Sequence, residues 1–226
     1  MEINEAFIVT GIFQSELKNR FRCVVKIDDV DEVCYVSSSS RLENFVDLVG
    51  KEVLLMPSLG SSQFPYTLFA VKQGMNFTIL NLSIANTVIF KQLHRKLFGF
   101  LGKRKNASRE IALGGYRTDI FIEDTRTAIE IKAIISSEKQ AIFPSVTAKR
   151  SVRQLEHIKL LLQKGYKVCY MFVSLSPDVK IVVLDRSTPY YSVFLDCVNY
   201  GMVYYGCSIK IQKGEIVVAH TLEVKL

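Results

Sequence analysis

The middle of this 226-residue chain contains two apolar strands joined by a short polar connection, and this feature restricts its fold more than any other. Apolar and polar residues alternate over 116–122 and again over 127–135, and four polar residues, 123–126, separate them. Such alternation is typical of half-buried strands, and the polar break predicts that the two strands form a β-hairpin. The pairing register then decides which side chains share a face.

Four charged side chains lie on the two strands of this predicted hairpin: Arg117, Asp119, Glu130 and Lys132. Because side chains alternate along a strand, Arg117 shares a face with Asp119, and Glu130 with Lys132. A turn centred on 124–125 places Asp119 opposite Glu130, and Arg117 opposite Lys132. Facing carboxylates, with Cβ atoms about 4.5–5.5 Å apart, repel. A divalent metal with hard oxygen ligands is the simplest compensation. The alternative is that these are ordinary charges on the solvent face of a strand.

Basic side chains outnumber acidic ones, and the net charge of +7 is compatible with a polyanionic partner. They occur in four clusters: Lys18, Arg20 and Arg22; Arg95 and Lys96; Lys103, Arg104, Lys105 and Arg109; and Lys149, Arg150 and Arg153. If several of these clusters face one groove, they form the electrostatic footprint of a nucleic-acid-binding protein. The alternative is that they are solvated faces of unrelated elements.

The sequence also indicates a compartment. No apolar run approaches the roughly 20 residues of a membrane span, so we expect no membrane contact. The first five residues lack the basic and apolar stretches of a signal peptide. Five cysteines, without a CxxC motif, lie in apolar contexts, which is typical of reduced, buried thiols and argues against structural zinc. We therefore expect a cytoplasmic protein.

The first 80 residues predict a small barrel. Short strands are predicted at 6–13, 21–27, 32–37, 52–56, 66–71 and 77–80, with turn signals between them that include 60–62. Evenly spaced short strands favour a five-stranded OB-like barrel, and 41–49 has the apolar spacing of the short helix that such barrels often carry. Phe21 is either a core residue or, between Arg20 and Arg22, a base-stacking residue.

The rest of the chain mixes helices and strands, which predicts an α/β domain over 81–226 after the barrel over 1–80. Helices are predicted at 86–100, with Asn86 as N-cap, at 149–163 and at 189–200. Strands are predicted at 167–173 and 180–184, and a second hairpin is predicted at 208–211 and 216–219. The central hairpin belongs to this domain.

Several segments resemble, in order and spacing, motifs of the sugar fermentation stimulation protein (SfsA) family. They are Phe64-Pro65-Tyr66-Thr67-Leu68; Asn81 and Asn86; Arg109-Glu110 followed by Arg117-Thr118-Asp119-Ile120-Phe121; Glu130-Ile131-Lys132; and Phe143-Pro144 with Arg150 and Leu155. The resemblance implies an OB-like barrel followed by a restriction-endonuclease-like α/β domain of the PD-(D/E)XK type, with a central mixed sheet. The chain departs from the family pattern at Ser37–Ser40, Ser145, Ala148, Ser151 and Gln154.

The resemblance implies a metal-dependent nuclease site on the hairpin. Asp119, Glu130 and the carbonyl of Ile131 would ligate Mg²⁺ or Mn²⁺, and Lys132 would orient water or stabilise charge on the phosphate. Asp119, Glu130 and Lys132 are thus the candidate catalytic residues. Glu110 is a candidate additional acid.

The expected partner is nucleic acid, and the family points to DNA. The candidate contacts are Arg117, Arg150, Arg20, Arg22, Lys103, Arg104 and Lys105, with pairing to Glu110 as the alternative role of Arg117. Two other functions stay open. One is a non-catalytic DNA-binding regulator of sugar (maltose) metabolism genes that keeps the nuclease fold, and the other is an interaction module in which the hairpin charges are a surface cluster.

Overall fold

The computed structural model describes residues 8–38, 41–58, 63–145 and 149–226. Its first six strands are β1 (Val9–Glu16), β2 (Arg22–Ile27), β3 (Val30–Val36), β4 (Glu52–Pro57), β5 (Tyr66–Gln73) and β6 (Asn76–Ile79). β1 pairs with both β2 and β4, and a parallel pairing of β3 with β5 closes a five-stranded barrel. This connectivity confirms the OB-like prediction. The predicted first-strand residues 6–7 and the predicted turn at 60–62 lie outside the described residues.

β1 allows the barrel to close because it pairs on both sides. Its first half pairs with β4 and its second half with β2, and the register shifts between Phe13 and Ser15. A Cβ atom on Gly11 would lie 2.6 Å from Val25 Cγ1 and 2.8 Å from the Lys26 carbonyl oxygen. A glycine is therefore required where β1 crosses β2 this closely.

The predicted helix over 41–49 is wrong. Only a 3₁₀ turn, Leu42–Asn44, forms there. The Glu16 carboxylate accepts hydrogen bonds from the amides of Leu42 and Glu43, both at 3.0 Å, and this contact holds the start of the segment. Leu42, Val46 and Leu48 are then buried in the barrel from an irregular chain.

An eight-stranded mixed sheet follows the barrel. Its strands are β7 (Ala107–Leu113), β8 (Tyr116–Ile122), β9 (Thr127–Ile134), β10 (Gln140–Phe143), β11 (Lys167–Ser174), β12 (Ile181–Leu184), β13 (Val203–Gln212) and β14 (Glu215–Lys225). The order is β10-β12-β14-β13-β11-β9-β8-β7. β9 and β13 flank β11 in parallel, whereas β7, β8 and β9 are antiparallel neighbours. A mixed central sheet confirms the predicted fold class, although β7 and β10 were not predicted.

Among the described residues, three α-helices pack on this sheet: α1 (Ile84–Gln92), α2 (Lys149–Gln163) and α3 (Pro189–Asn199). α2 has the predicted bounds. The helix predicted over 86–100 is wrong in extent, because α1 ends at Gln92 and a separate 3₁₀ segment, Lys96–Leu101, follows. Asn86 is not the N-cap, since Ser83 occupies that position.

The sheet is buried on both faces. One face packs against α1 and the barrel in a single apolar cluster that includes Ile79, Val88, Ile129 and Leu175. α2 and α3 cover the other face. The predicted boundary at 80/81 falls between β6 and α1, and the division of the chain into two domains stays a prediction.

The cysteines and the helices bear on two expectations from the sequence, buried thiols and no membrane span. All five cysteines are buried and unpaired, as predicted. In the part of the chain that the structure describes, every helix is too short or too polar to cross a membrane.

Candidate metal and nucleic-acid site

The central hairpin has the predicted register. Ile120 pairs with Ile129, and Ile122 pairs with Thr127. The connection is a 3₁₀ turn, Glu123–Thr125, followed by Arg126 in the left-handed conformation. Four loop residues therefore fix the register, as the polar break at 123–126 indicated.

The ladder between β8 and β9 ends at Ile120 and Ile129 among the described residues, and we call the region beyond this point the fork. Side chains replace the backbone pairing there. The Thr118 hydroxyl donates to the Ile129 carbonyl over 3.0 Å, and the Ile131 amide donates to Asp119 Oδ2 over 2.7 Å. The predicted facing pairs of Asp119 with Glu130 and of Arg117 with Lys132 therefore do not form as ladder pairs.

Asp119 is a half-buried carboxylate that accepts hydrogen bonds from two donors. Oδ2 accepts from the Ile131 amide, and Oδ1 accepts from Asn86 Nδ2 of α1 over 2.8 Å. Burial and the charge of Glu130 raise the pKa of Asp119 from 3.8 to about 6, although these two hydrogen bonds and Lys132 act in the opposite direction. The two carboxylates are thus close enough to repel.

Glu130 lies deeper and carries its own counter-charge. Its side chain is 4% exposed, and Lys132, which is 14% exposed, donates to Oε1 over 2.6 Å. The Tyr116 hydroxyl donates to Oε2, and burial next to this carboxylate raises the pKa of Tyr116 well above its usual value. A buried charge is costly unless it is paired and hydrogen-bonded, and Glu130 meets both conditions.

α2 fixes the outer side of this cluster. Lys132 Nζ also donates to Gln154 Oε1 over 2.5 Å, and the His157 ring stacks on Tyr116 at 5.6 Å between centroids. Arg150, at the start of the same helix, is exposed, and its charge lowers the pKa of Tyr116 against the opposing effect of burial. The structure thus brings Asp119, Glu130 and Lys132 together, with Arg150 near Tyr116, and the roles of these residues stay predictions.

Each oxygen of Asp119 and Glu130 accepts one hydrogen bond and so keeps a lone pair for another ligand. Two hard carboxylates fit Mg²⁺, which takes one or two protein carboxylates and retains several waters. Within the described ranges, His, Cys, Asp and Glu form no group of three or more that could hold a metal, so further ligands would come from water or from backbone.

Arg117 and Arg104 have local partners. Arg117, 70% exposed, is paired with Glu110 at 2.6 Å across β7 and β8, which is the alternative left open above. Arg104 donates to the carbonyls of Leu93, His94 and Arg95 beyond the end of α1, at 2.6 to 3.2 Å. Arg104 is half-buried, and its guanidinium is engaged with these carbonyls, so its role as a nucleic-acid contact stays a prediction.

The remaining basic candidates lie away from the fork. Lys103 pairs with Asp124 at 3.1 Å on the turn end of the hairpin, and Lys105 is exposed beside it. Arg20 and Arg22 lie on the barrel, with guanidinium carbons 5.0 Å from the centre of the Phe21 ring and 5.2 Å from that of Phe64.

Sequence reasoning did not assign Asn86, Tyr116 and Gln154 to the site. The sequence pattern predicts a helix cap at Asn86 and a strand start at Tyr116. It marks Gln154 only as a departure from the family pattern. The helical register of α2 was the available signal, since it places Gln154 one turn from Arg150.

The comparisons with known proteins agree with this architecture. The family model described as "Sugar fermentation stimulation protein RE domain" matches residues 83–215, more than half of the chain. The sugar fermentation stimulation protein homolog of Ruminiclostridium cellulolyticum is 25% identical over 97% of this chain and 98% of its own length. The homolog of Desulfitobacterium hafniense (strain Y51) is 23% identical over 71% of each.

A solved structure, Pyrococcus furiosus SfsA in complex with Ca²⁺, is similar with a TM-score of 0.83 and 20% identity. It covers 100% of this chain and 98% of that chain, and at this identity it shows the fold. The family match, by contrast, rests on sequence over the part of the chain that contains the hairpin and α2. This chain belongs to the sugar fermentation stimulation protein family.

Proposed function

We propose that this protein binds nucleic acid, with DNA as the preferred partner, and hydrolyses its phosphodiester bonds with Mg²⁺ or Mn²⁺ at Asp119, Glu130 and Lys132. The observation that carries the proposal is the pair of carboxylates at the fork, where half-buried Asp119 lies next to buried Glu130. Burial, and then the charge of Glu130, raise the pKa of Asp119 to about 6. A divalent cation between the two carboxylates would remove their repulsion.

The proposed ligands are Asp119, Glu130 and the carbonyl oxygen of Ile131. The Ile131 amide already holds Asp119, so this residue joins both strands of the fork. The Pyrococcus furiosus relative was solved in complex with Ca²⁺, a hard cation with oxygen ligands, and this supports a metal-binding role in the present chain. Bound Mg²⁺ would supply an activated water and neutralise phosphate charge.

Lys132 and Arg150 are the proposed cationic groups of the reaction. Lys132 is held by Glu130 at 2.6 Å and by Gln154 at 2.5 Å, so its ammonium group is fixed beside the carboxylates. We expect it to stabilise negative charge on the phosphate in the transition state. Arg150 is exposed at the start of α2, and we expect it to bind a flanking phosphate.

Cleavage of labelled single- and double-stranded DNA and RNA, with Mg²⁺ or Mn²⁺ added, tests the proposal. We expect metal-dependent cleavage by the wild type and its loss in Asp119→Asn. Glu123→Gln is the matched control, because Glu123 is an exposed carboxylate on the same hairpin outside the fork. Cleavage that persists in Asp119→Asn, or that needs no metal, would contradict the assignment.

A non-catalytic nucleic-acid-binding regulator is the second candidate. It is favoured by the pairing at Glu130, whose two oxygens already accept from Lys132 and Tyr116. This candidate predicts salt-sensitive DNA binding by the wild type without cleavage, and unchanged binding by Asp119→Asn. Binding accompanied by metal-dependent cleavage would exclude it.

A further inference from the structure

Three aromatic rings form a row on the outside of the barrel, and we call Phe21, Tyr35 and Phe64 the aromatic row. The rings of Phe21 and Tyr35 stack with centroids 6.5 Å apart and an interplanar angle of 13°. Those of Tyr35 and Phe64 stack at 6.3 Å and 24°. Phe21 directly precedes β2, Tyr35 lies on β3, and Phe64 lies in the connection between β4 and β5. Three separate segments therefore contribute one ring each.

The alternation of β2 and β3 places this row outside the core. Cys34 and Val36, on either side of Tyr35, are buried in the barrel, so Tyr35 points outward. Phe21 is 37% exposed, and the expectation of a core phenylalanine at this position is wrong. Its amide donates to Asn19 Oδ1 over 3.1 Å, and its carbonyl accepts from the Val36 amide over 2.9 Å. The turn thus fixes the backbone that carries the ring.

Two arginines accompany the row. Arg20 lies over the Phe21 ring and Arg22 over the Phe64 ring, so each end of the row has a guanidinium group. Aromatic faces stack on bases, and guanidinium groups bind the phosphates between them. The combination matches the chemistry of an unpaired polynucleotide strand, because the bases of a duplex are already stacked on one another.

We infer that the aromatic row is a stacking platform for a single strand of nucleic acid. The inference deepens the proposed nucleic-acid binding and defines its substrate class, but it does not depend on cleavage at the fork. Strands β2 and β3 and the β4–β5 connection of an OB barrel are surfaces on which oligonucleotides can bind. The alternative is that the three rings only stabilise one another as cross-strand neighbours.

The absence of tryptophan from the chain allows a direct test. Phe21→Trp introduces a single tryptophan into the aromatic row, and it can be excited at a wavelength where the ten tyrosines do not absorb. We expect a short oligothymidylate, added in EDTA so that no cleavage occurs, to quench its fluorescence saturably, and a duplex to quench it far less. Tyr200→Trp is the matched control, since Tyr200 is also exposed, at 53%, with Lys159 5.0 Å from its ring centre, but it lies at the end of α3. Its fluorescence should not change.

A second variant tests the platform with the fluorescent label on the oligonucleotide and none on the protein. Tyr35→Leu keeps an apolar side chain but removes the central ring, and we expect it to weaken binding of labelled oligothymidylate roughly tenfold in fluorescence anisotropy. Unchanged affinity in this variant, no quenching in Phe21→Trp, or equal quenching by the duplex would each overturn the inference.

The platform and the proposed cleavage can fail separately. In a Phe21→Trp/Asp119→Asn chain, quenching should persist although cleavage is lost. Quenching in a protein that never cleaves would sustain the platform and reject the nuclease. Metal-dependent cleavage by a Tyr35→Leu protein that binds oligothymidylate as tightly as the wild type would sustain the nuclease and reject the platform.

Discussion

The amide of Ile131 on β9 donates a hydrogen bond of 2.7 Å to Asp119 Oδ2 on β8, just beyond the last ladder pair of the hairpin. In this bond a side-chain carboxylate takes the place of the backbone carbonyl that a regular ladder would offer to the Ile131 amide. Asp119 is therefore held by the sheet itself. Glu130 precedes Ile131 in β9, and the spacing between the two carboxylates is therefore set by regular structure. Sites supported by strands are positioned more accurately than sites on loops.

Asp119→Asn should stabilise the protein near neutral pH. The pKa of Asp119 is raised from 3.8 in the unfolded chain to about 6 in the folded protein, so the folded state binds this proton more tightly. Its contribution to stability is therefore present below about pH 4 and is lost as the pH rises through about 6. We expect Asp119→Asn to raise the free energy of unfolding by about 1–3 kcal/mol at about pH 7.5. Urea denaturation measures this difference.

The difference between Asp119→Asn and the wild type should shrink as the pH is lowered toward about 4. Glu123→Gln, on the exposed turn of the same hairpin, should change stability little at either pH. A destabilised Asp119→Asn protein at neutral pH would show that the hydrogen bonds from Asn86 and Ile131 outweigh the repulsion from Glu130.

Metal affinity should depend on pH through the same carboxyl group. Asp119 must lose its proton to bind a cation, and its pKa is about 6. We therefore expect Mn²⁺ affinity, measured by titration calorimetry, to be nearly constant above about pH 7 and to fall roughly tenfold per pH unit below about 6. An affinity that does not change between about pH 5 and 7 would place the metal elsewhere.

Lys132 and Glu130 should be strongly coupled in stability. Lys132→Met leaves a buried carboxylate without its counter-charge, which typically costs about 3–5 kcal/mol. Adding Glu130→Gln should recover most of this loss, because the uncompensated charge is gone. Lys225→Met is the control, since its pair with Glu223, at 3.7 Å, is exposed. Chemical denaturation of the four chains of a double-mutant cycle gives the coupling energy, and additive losses would contradict it.

Secondary structure was predictable where the apolar pattern alone decided it. α2 begins and ends at the predicted residues, because its inward positions recur at helical spacing and Gly165 follows with positive φ. The segment over 41–49 has a similar spacing, but it forms only one 3₁₀ turn, whose first amides donate to the Glu16 carboxylate of the distant strand β1. Such a contact joins residues 26 positions apart, and no local pattern reveals it.

The site was predictable in part, where local patterns of the hairpin alone decide the geometry. The length of the polar turn gave the register of β8 and β9, and strand alternation grouped Glu130 with Lys132. The fork was not predictable, because it depends on a side chain that takes the place of a backbone partner. Asn86 reaches Asp119 from 33 residues away, and Gln154 reaches Lys132 from 22 residues away. These contacts require the packing of α1 and α2.

Gly11→Ala should destabilise the barrel. The added Cβ atom would lie 2.6 Å from Val25 Cγ1 and 2.8 Å from the Lys26 carbonyl oxygen, and the backbone atom cannot move without disturbing the β1–β2 pairing. Overpacking of this kind costs about 1–3 kcal/mol. Gly99→Ala is the control, because a Cβ atom added there would meet no atom of the described residues within 4 Å apart from its chain neighbours and the backbone of its own 3₁₀ segment, and its φ is ordinary for a side chain. Equal unfolding midpoints for the two variants would contradict the close approach.

The barrel and the eight-stranded sheet should unfold together. Ile79, the last residue of β6, and Leu80 share a buried cluster with Ile131 of the sheet and with Leu175, which directly follows β11. The Ile79 amide also donates to the Leu175 carbonyl over 2.9 Å. We therefore expect one transition in urea, with far-ultraviolet and near-ultraviolet circular dichroism coinciding, and we expect a fragment of residues 81–226 to be unfolded or aggregated because its barrel-facing surface would be exposed. Two separated transitions, or a folded fragment, would instead establish 1–80 and 81–226 as independent domains.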